Sequence, residues 1–143
     1  MTRRSLLAVL GLLLAKPLTV LAAWNEQAFG AKTAADALKS IGATAAAPSK
    51  DILIEAPQIA ENGAVVPIEI SSNIPGTTSI AVVIEKNPFP LAGKFDFKEN
   101  ALPFVKLNVK MGETSDVRVV AVAGGKQFVA TREIKVTIGG CGG

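Results

Sequence analysis

From Asp51 to Ile138 the hydrophobic pattern repeats every second residue, and the punctuation is proline, glycine and asparagine. Successive side chains of a strand point to opposite faces, so this alternation specifies half-buried sheet and excludes a helical body. Phe104 to Lys110 alternates cleanly, with Val105, Leu107 and Val109 inward and Lys106, Asn108 and Lys110 outward. In Thr77 to Glu85, Ile80, Val82 and Ile84 share one face and Ala81 and Val83 the other, which predicts a strand buried on both sides. Ile52-Leu53-Ile54 opens the region. Val65 to Ser71 reads as a further strand, where Pro67 implies an edge or a bulge. Two hairpin signals stand out: Glu61-Asn62-Gly63-Ala64 between Ile59 and Val65, and Gly124-Gly125 between Val117–Ala123 and Lys126–Ile138. In the last strand Ile134, Val136 and Ile138 face one way. Asn87 to Phe97 reads as an irregular stretch, either a loop packing its own Phe89, Phe95 and Phe97 or, the reading slightly preferred, part of a partner surface.

Seven short strands with regular turn signals in fewer than ninety residues predict a mainly β chain, an antiparallel β-sandwich that is immunoglobulin-like in the broad sense. No Cys-Trp-Cys pin is present, which excludes antibody-type identity. Aromatic residues make up only 5 % of the chain, so its core has to be built from Val, Ile, Leu and Ala.

Ahead of the strands the period changes. Thr33-Ala34-Ala35-Asp36 has capping-box spacing, with Asp in place of the preferred Glu or Gln. Ala34, Ala37, Leu38 and Ile41 then share a helical face, and Gly42 is a C-cap. Trp24 to Phe29 has helical composition and Gly30 interrupts it. Helices this short are marginal in water, so they must dock, with Trp24 and Phe29 as anchors, on the strand domain or on a partner. Ala43 to Lys50 reads as a linker.

Residues 1–22 have the composition of an export leader. Arg3-Arg4 is a twin-arginine pattern, Ser5 to Ala15 is apolar but short for a bilayer span, and Lys16 interrupts it. Cleavage is expected after Ala22, with Ala23 as the alternative. The expected division is 1–22 leader, 23–50 helical segment and linker, 51–138 sandwich and 139–143 arm. The twin-arginine route generally exports folded cargo to the periplasm, and such cargo can carry a companion that lacks its own signal. Three of the 15 basic residues, Arg3, Arg4 and Lys16, lie in the leader, leaving 12 against 12 acidic residues. With no basic stripe, nucleic-acid binding has no support.

The chain ends Gly139-Gly140-Cys141-Gly142-Gly143. Cys141 is the one cysteine and cannot close an internal disulfide. Glycine resists regular structure because it loses the most conformational freedom on ordering. The pentapeptide is therefore read as a thin flexible arm carrying a thiol, reaching about 10 Å from Ile138 to Cys141. Thiols are activated by a helix N-terminus or a neighbouring cation. This chain has no histidine, and the nearest cation along it is Lys135. Nothing local activates the thiol, and the carboxylates are scattered singly. The reading is of a substrate-bearing group with no catalytic residue, no metal site and no cofactor.

An export leader, a short helical segment, immunoglobulin-like strands and a terminal Gly-Gly-Cys-Gly-Gly together resemble the SoxY family, the Y subunit of the Sox sulfur-oxidising system. The resemblance covers the whole chain, and all five terminal positions match. It implies a periplasmic carrier, not an enzyme, whose Cys141 bears the sulfur substrate while separate enzymes act on it. It also implies partners: a SoxZ-type companion forming a heterodimer, a c-type cytochrome complex that joins thiosulfate to the thiol, a metal-dependent hydrolase that releases sulfate, and a sulfane dehydrogenase. Two other classes stand beside it. One is an exported β-sandwich for adhesion or assembly, whose cysteine forms an intermolecular disulfide. The other is a ubiquitin-like carrier with a thiocarboxylate on Gly143, disfavoured because its activation needs ATP and its strand count differs.

Overall fold

The computed structural model describes residues 24–139. Two short helices, α1 (Glu26–Gly30) and α2 (Ala34–Ser40), precede nine strands: β1 (Ala47–Pro48), β2 (Ile52–Glu55), β3 (Ile59–Ala60), β4 (Val66–Ser72), β5 (Thr77–Ile84), β6 (Leu91–Asp96), β7 (Phe104–Val109), β8 (Ser115–Ala123) and β9 (Lys126–Val136). One sheet runs β1-β9-β8-β5-β6, with β3 also on β9; the other runs β2-β4-β7. The main ladders are antiparallel, and only the two-residue β1 and β3 pair in parallel, both with β9. The result is the immunoglobulin-like sandwich that the alternation implies.

Between the sheets lies a core of aliphatic side chains. Ile68 and Ile70 of β4 meet Ile80, Val82 and Ile84 of β5 and Val117 and Val119 of β8, all fully buried. Ile134 of β9 and Met111 close the ends of this layer, while Phe95, Phe97 and Phe128 sit only partly buried at its margin. β5 is buried on both faces, as its sequence demands. Its other face, Ala81 and Val83, lies with Leu91 and Val120 beneath Ala28, Ala37 and Leu38 of the helices. The small alanines let the helices sit close, and full burial of a side chain such as Val83 is worth about 1.5–3 kcal/mol.

Local chemistry fixes the helix ends. Asn25 caps α1 by accepting from the Ala28 amide at 3.0 Å, and its side-chain amide donates to the Ser40 carbonyl at 2.9 Å, tying the two helices together. Thr33 caps α2 by accepting from the Asp36 amide at 3.1 Å. The Asp36 carboxylate takes the Thr33 hydroxyl at 2.8 Å, so this shorter acid completes the box through a side chain. Past α2, Gly42 has φ +70°, and the Gly42 and Ala43 amides return to Lys39 and Leu38, the paired bonds of a Schellman motif.

Several expectations are corrected. Asn62-Gly63 does not join two strands of one hairpin: Ile59–Ala60 pairs with Lys135–Val136, while β4 belongs to the opposite sheet. The Asn62 side chain bends the loop by accepting from the Ala64 amide at 2.9 Å. β4 is a central strand, yet β2 accompanies it only between Glu55↔Glu69 and Ile52↔Ser72. Pro67 lies past that end and faces Asn108 of β7 alone, so its missing N–H interrupts no ladder on the β2 side. Within Asn87 to Phe97, residues Leu91–Asp96 form a strand on β5. Phe95 and Phe97 pack on the molecule's own core, while Phe89 is exposed beneath the Lys32 ammonium, 3.5 Å from its ring centroid. Ala43 to Lys50 is not a free linker, since Ala47–Pro48 pairs with β9. Trp24 is no anchor. It is 68 % exposed and stacked on Phe29 at 4.5 Å, and small residues do the docking.

Candidate functional site

The C-terminal strand leads to the candidate site. β8 turns into β9 through two glycines, Gly124 with φ +57° and Gly125 with φ +73°, both in the left-handed region that a tight primed turn requires. From Ala123↔Lys126 the hairpin runs without a slip to Ser115↔Ile134. The other edge of β9 meets β1 at Phe128 and Val129, and β3 at Lys135 and Val136. Between these contacts the Arg132 guanidinium reaches across to the opposite sheet, donating to the Ile54 carbonyl at 2.9 Å and the Ala56 carbonyl at 2.7 Å. β9 is therefore pinned along its length.

The pinning holds the last two residues of β9 and the two beyond it. The Lys135 amide donates to the Gln58 carbonyl at 3.0 Å, Val136 to the Thr114 hydroxyl at 2.9 Å, and Thr137 to the Ala60 carbonyl at 3.1 Å. The Thr137 hydroxyl donates to the Glu61 carbonyl at 3.2 Å. The Ile138 carbonyl accepts from the Gly63 amide at 2.7 Å, and the Gly63 carbonyl accepts from Met111 at 2.7 Å. Two loops, residues 61–65 and 110–114, thus clasp residues 136–138 at one end of the sandwich. The regular strand stops at Val136 and not at Ile138, whose side chain is 68 % exposed.

Of the arm residues read from the sequence, Gly139 is described and exposed, beside Gly112. Gly140, Cys141, Gly142 and Gly143 lie outside the described residues, as does the leader. Among the described residues, no group of three or more His, Cys, Asp or Glu side chains is placed to hold a metal ion. Charged side chains pair off singly: Lys94 with Asp96, Lys106 with Glu69, and Arg118 with Glu85. The Glu69 carboxylate, through its hydrogen bond and charge, raises the Lys106 ammonium above the usual lysine value. That pair lies on the outer face of the three-stranded sheet. A cleft of about 700 Å³ between α2 and the large sheet holds the Glu85–Arg118 pair beside Leu38 and Val120. Its cation and anion satisfy each other, which leaves no free charge of that pair for a ligand.

The residues that sequence reasoning missed here are Thr114, Arg132, and Gly63 as a clasp. Gly63 carried a turn signal, but for the wrong pair of strands. Arg132 and Thr114 carried none, because their partners are backbone atoms far along the chain.

Fold and site define a small β-sandwich whose last described strand, β9, runs to an end clasped by two loops. A family model described as sulfur oxidation protein SoxY matches residues 37–141, ending on Cys141 itself, and the chain belongs to the SoxY family. Its structure is similar to that of the sulfur carrier protein SoxY from Chlorobium limicola f thiosulfatophilum, at 40 % identity over 72 % of this chain and 94 % of that one, with a TM-score of 0.66. It is also similar to a superoxide reductase (neelaredoxin) from Ignicoccus hospitalis, at 21 % identity over 59 % of this chain and 79 % of that one, with a TM-score of 0.54. At that identity the likeness concerns the fold alone. No match is found among curated proteins.

Proposed function

We propose that the protein is a periplasmic sulfur carrier of the Sox system, which holds thiosulfate-derived sulfur covalently on Cys141 and presents it to partner enzymes. The observation that carries this reading is a family match that runs to Cys141, the chain's one cysteine, directly beyond the clasped end of β9. The likeness to a sulfur carrier protein at 40 % identity supports the same role.

The chemistry balances as follows. The Cys141 thiol joins the outer sulfur of thiosulfate to form Cys–S–S–SO₃⁻, releasing one proton and two electrons, which a c-type cytochrome complex accepts. Water then cleaves the terminal S–S bond at a hydrolase, giving sulfate, a proton and a persulfide, Cys–S–SH. A sulfane dehydrogenase then oxidises the outer sulfur that remains to a sulfonate, with water supplying the oxygens and a c-type cytochrome taking the electrons. The chain itself contributes the thiol and its placement, and each activating group comes from a partner. A SoxZ-type companion completes a heterodimer, and the arginine pair Arg3-Arg4 directs export by the twin-arginine route.

Intact mass spectrometry tests this. After incubation with thiosulfate and the oxidising complex, the mature chain should gain the mass of one thiosulfate on Cys141, and Cys141→Ser should gain none. A gain on Gly143, or no gain on any residue, would refute the carrier reading.

A further inference from the structure

We infer that Gly139 belongs to a fixed seat at the end of the sandwich, where its lack of a side chain is required, and that it acts as a positioning residue for loading of Cys141. The functional half of this inference rests on the carrier reading; the structural half does not.

Glycine serves two distinct purposes, conformational freedom and lack of bulk. At Gly42, Gly76, Gly124 and Gly125 a positive φ explains the residue. Gly139 is not among the positive-φ glycines, so a left-handed backbone does not explain it. Bulk is what excludes other residues. A Cβ built on Gly139 would lie 2.1 Å from the Gly112 carbonyl oxygen and 3.1 Å from its carbonyl carbon. Both are backbone atoms with no rotamer to turn aside.

The wall it meets is anchored. Gly112 follows Met111, which is fully buried and donates to Gly63, the residue whose amide holds the Ile138 carbonyl. Each of Lys135, Val136, Thr137 and Ile138 commits a backbone group to this surround. A side chain at position 139 has to lift the chain off Gly112, and the nearest bond to yield is that between Gly63 and Ile138. Cys141 follows two residues after Gly139 in the sequence. Any enzyme acting on the thiol must then accept the rim formed by loops 61–65 and 110–114.

Gly112 supplies the internal control, since a Cβ there meets nothing within 4 Å. Amide hydrogen exchange at Gly63 is measured in the full mature chain as wild type, Gly139→Ala, Gly112→Ala and Cys141→Ser. Gly139→Ala should exchange about tenfold faster at Gly63, the scale of one weakened hydrogen bond, with the other two at the wild-type rate. In parallel, kcat/KM for loading by the oxidising complex with thiosulfate should fall about tenfold in Gly139→Ala, while alkylation of Cys141 by iodoacetamide stays unchanged. A wild-type exchange rate in Gly139→Ala, or equal acceleration in Gly112→Ala, overturns the seat. Unchanged loading with accelerated exchange overturns the positioning role. If the wild type itself never gains sulfur, the carrier reading fails, and the exchange arms still decide the seat.

Discussion

Arg132→Ala should be among the most damaging changes outside the buried core. Its guanidinium makes two hydrogen bonds, to the Ile54 carbonyl of β2 at 2.9 Å and to the Ala56 carbonyl just past that strand at 2.7 Å, linking β9 to the opposite sheet. Hydrogen bonds from charged groups contribute about 1.5–3 kcal/mol each. Arg132 is only half-buried, and water can replace part of each bond. Each bond therefore counts below that range, at about 1 kcal/mol, which with the packing lost with the aliphatic stem gives about 2–3 kcal/mol in all. For a domain of this size that lowers Tm by roughly 6–12 °C. Arg132→Lys supplies a point charge and not a fork, so it should recover about half. Urea unfolding followed by far-UV circular dichroism measures both, since Trp24, the one tryptophan, is already exposed and reports poorly by fluorescence. A loss below about 0.5 kcal/mol, or full recovery by lysine, would refute the claim that this fork joins the sheets.

Ile134→Ala removes a fully buried side chain from β9 and should cost about 2–5 kcal/mol in the same assay. Gly125→Val places a β-branched residue at φ +73° and should cost roughly 1–2 kcal/mol, read as a lowered Tm. Gly140→Val and Gly142→Val leave the thiol intact but stiffen and widen the thread; stopped-flow loading by the oxidising partner should slow while reaction with a small thiol reagent does not. Replacing Arg3 and Arg4 together by lysine should leave the precursor in the cytoplasm, as cell fractionation would show.

The sequence made some elements plain because their cause is local. Gly124-Gly125 dictated its own turn, Thr33 and Gly42 bounded α2, and the two apolar faces of β5 required a covering layer. Other elements depend on partners far along the chain, and their local signal misleads. Asn62-Gly63 is a turn in either arrangement, and only the pairing of Ile59–Ala60 with β9 decides which strands it connects. Leu91–Asp96 carries too little alternation to stand out between prolines, yet an edge position on β5 makes it a strand. The terminal glycines stand out as composition, but what Gly139 lies against does not. Nothing about Gly112 or Thr114 announces that a chain end more than twenty residues later lies against them.

The edge of β9 has a consequence for life at high concentration. At eleven residues it is the longest strand, and an uncovered edge of that length would template pairing with a second molecule. Here the stretch from Ala47 to Ala60 is folded back over it: β1 blocks one end, β3 the other, and Arg132 turns its charge into the gap between them. What composition marks as connecting chain works as insulation. If the protein is passed between partners as proposed, an edge interrupted at both ends leaves copies of it little on which to grow into fibres.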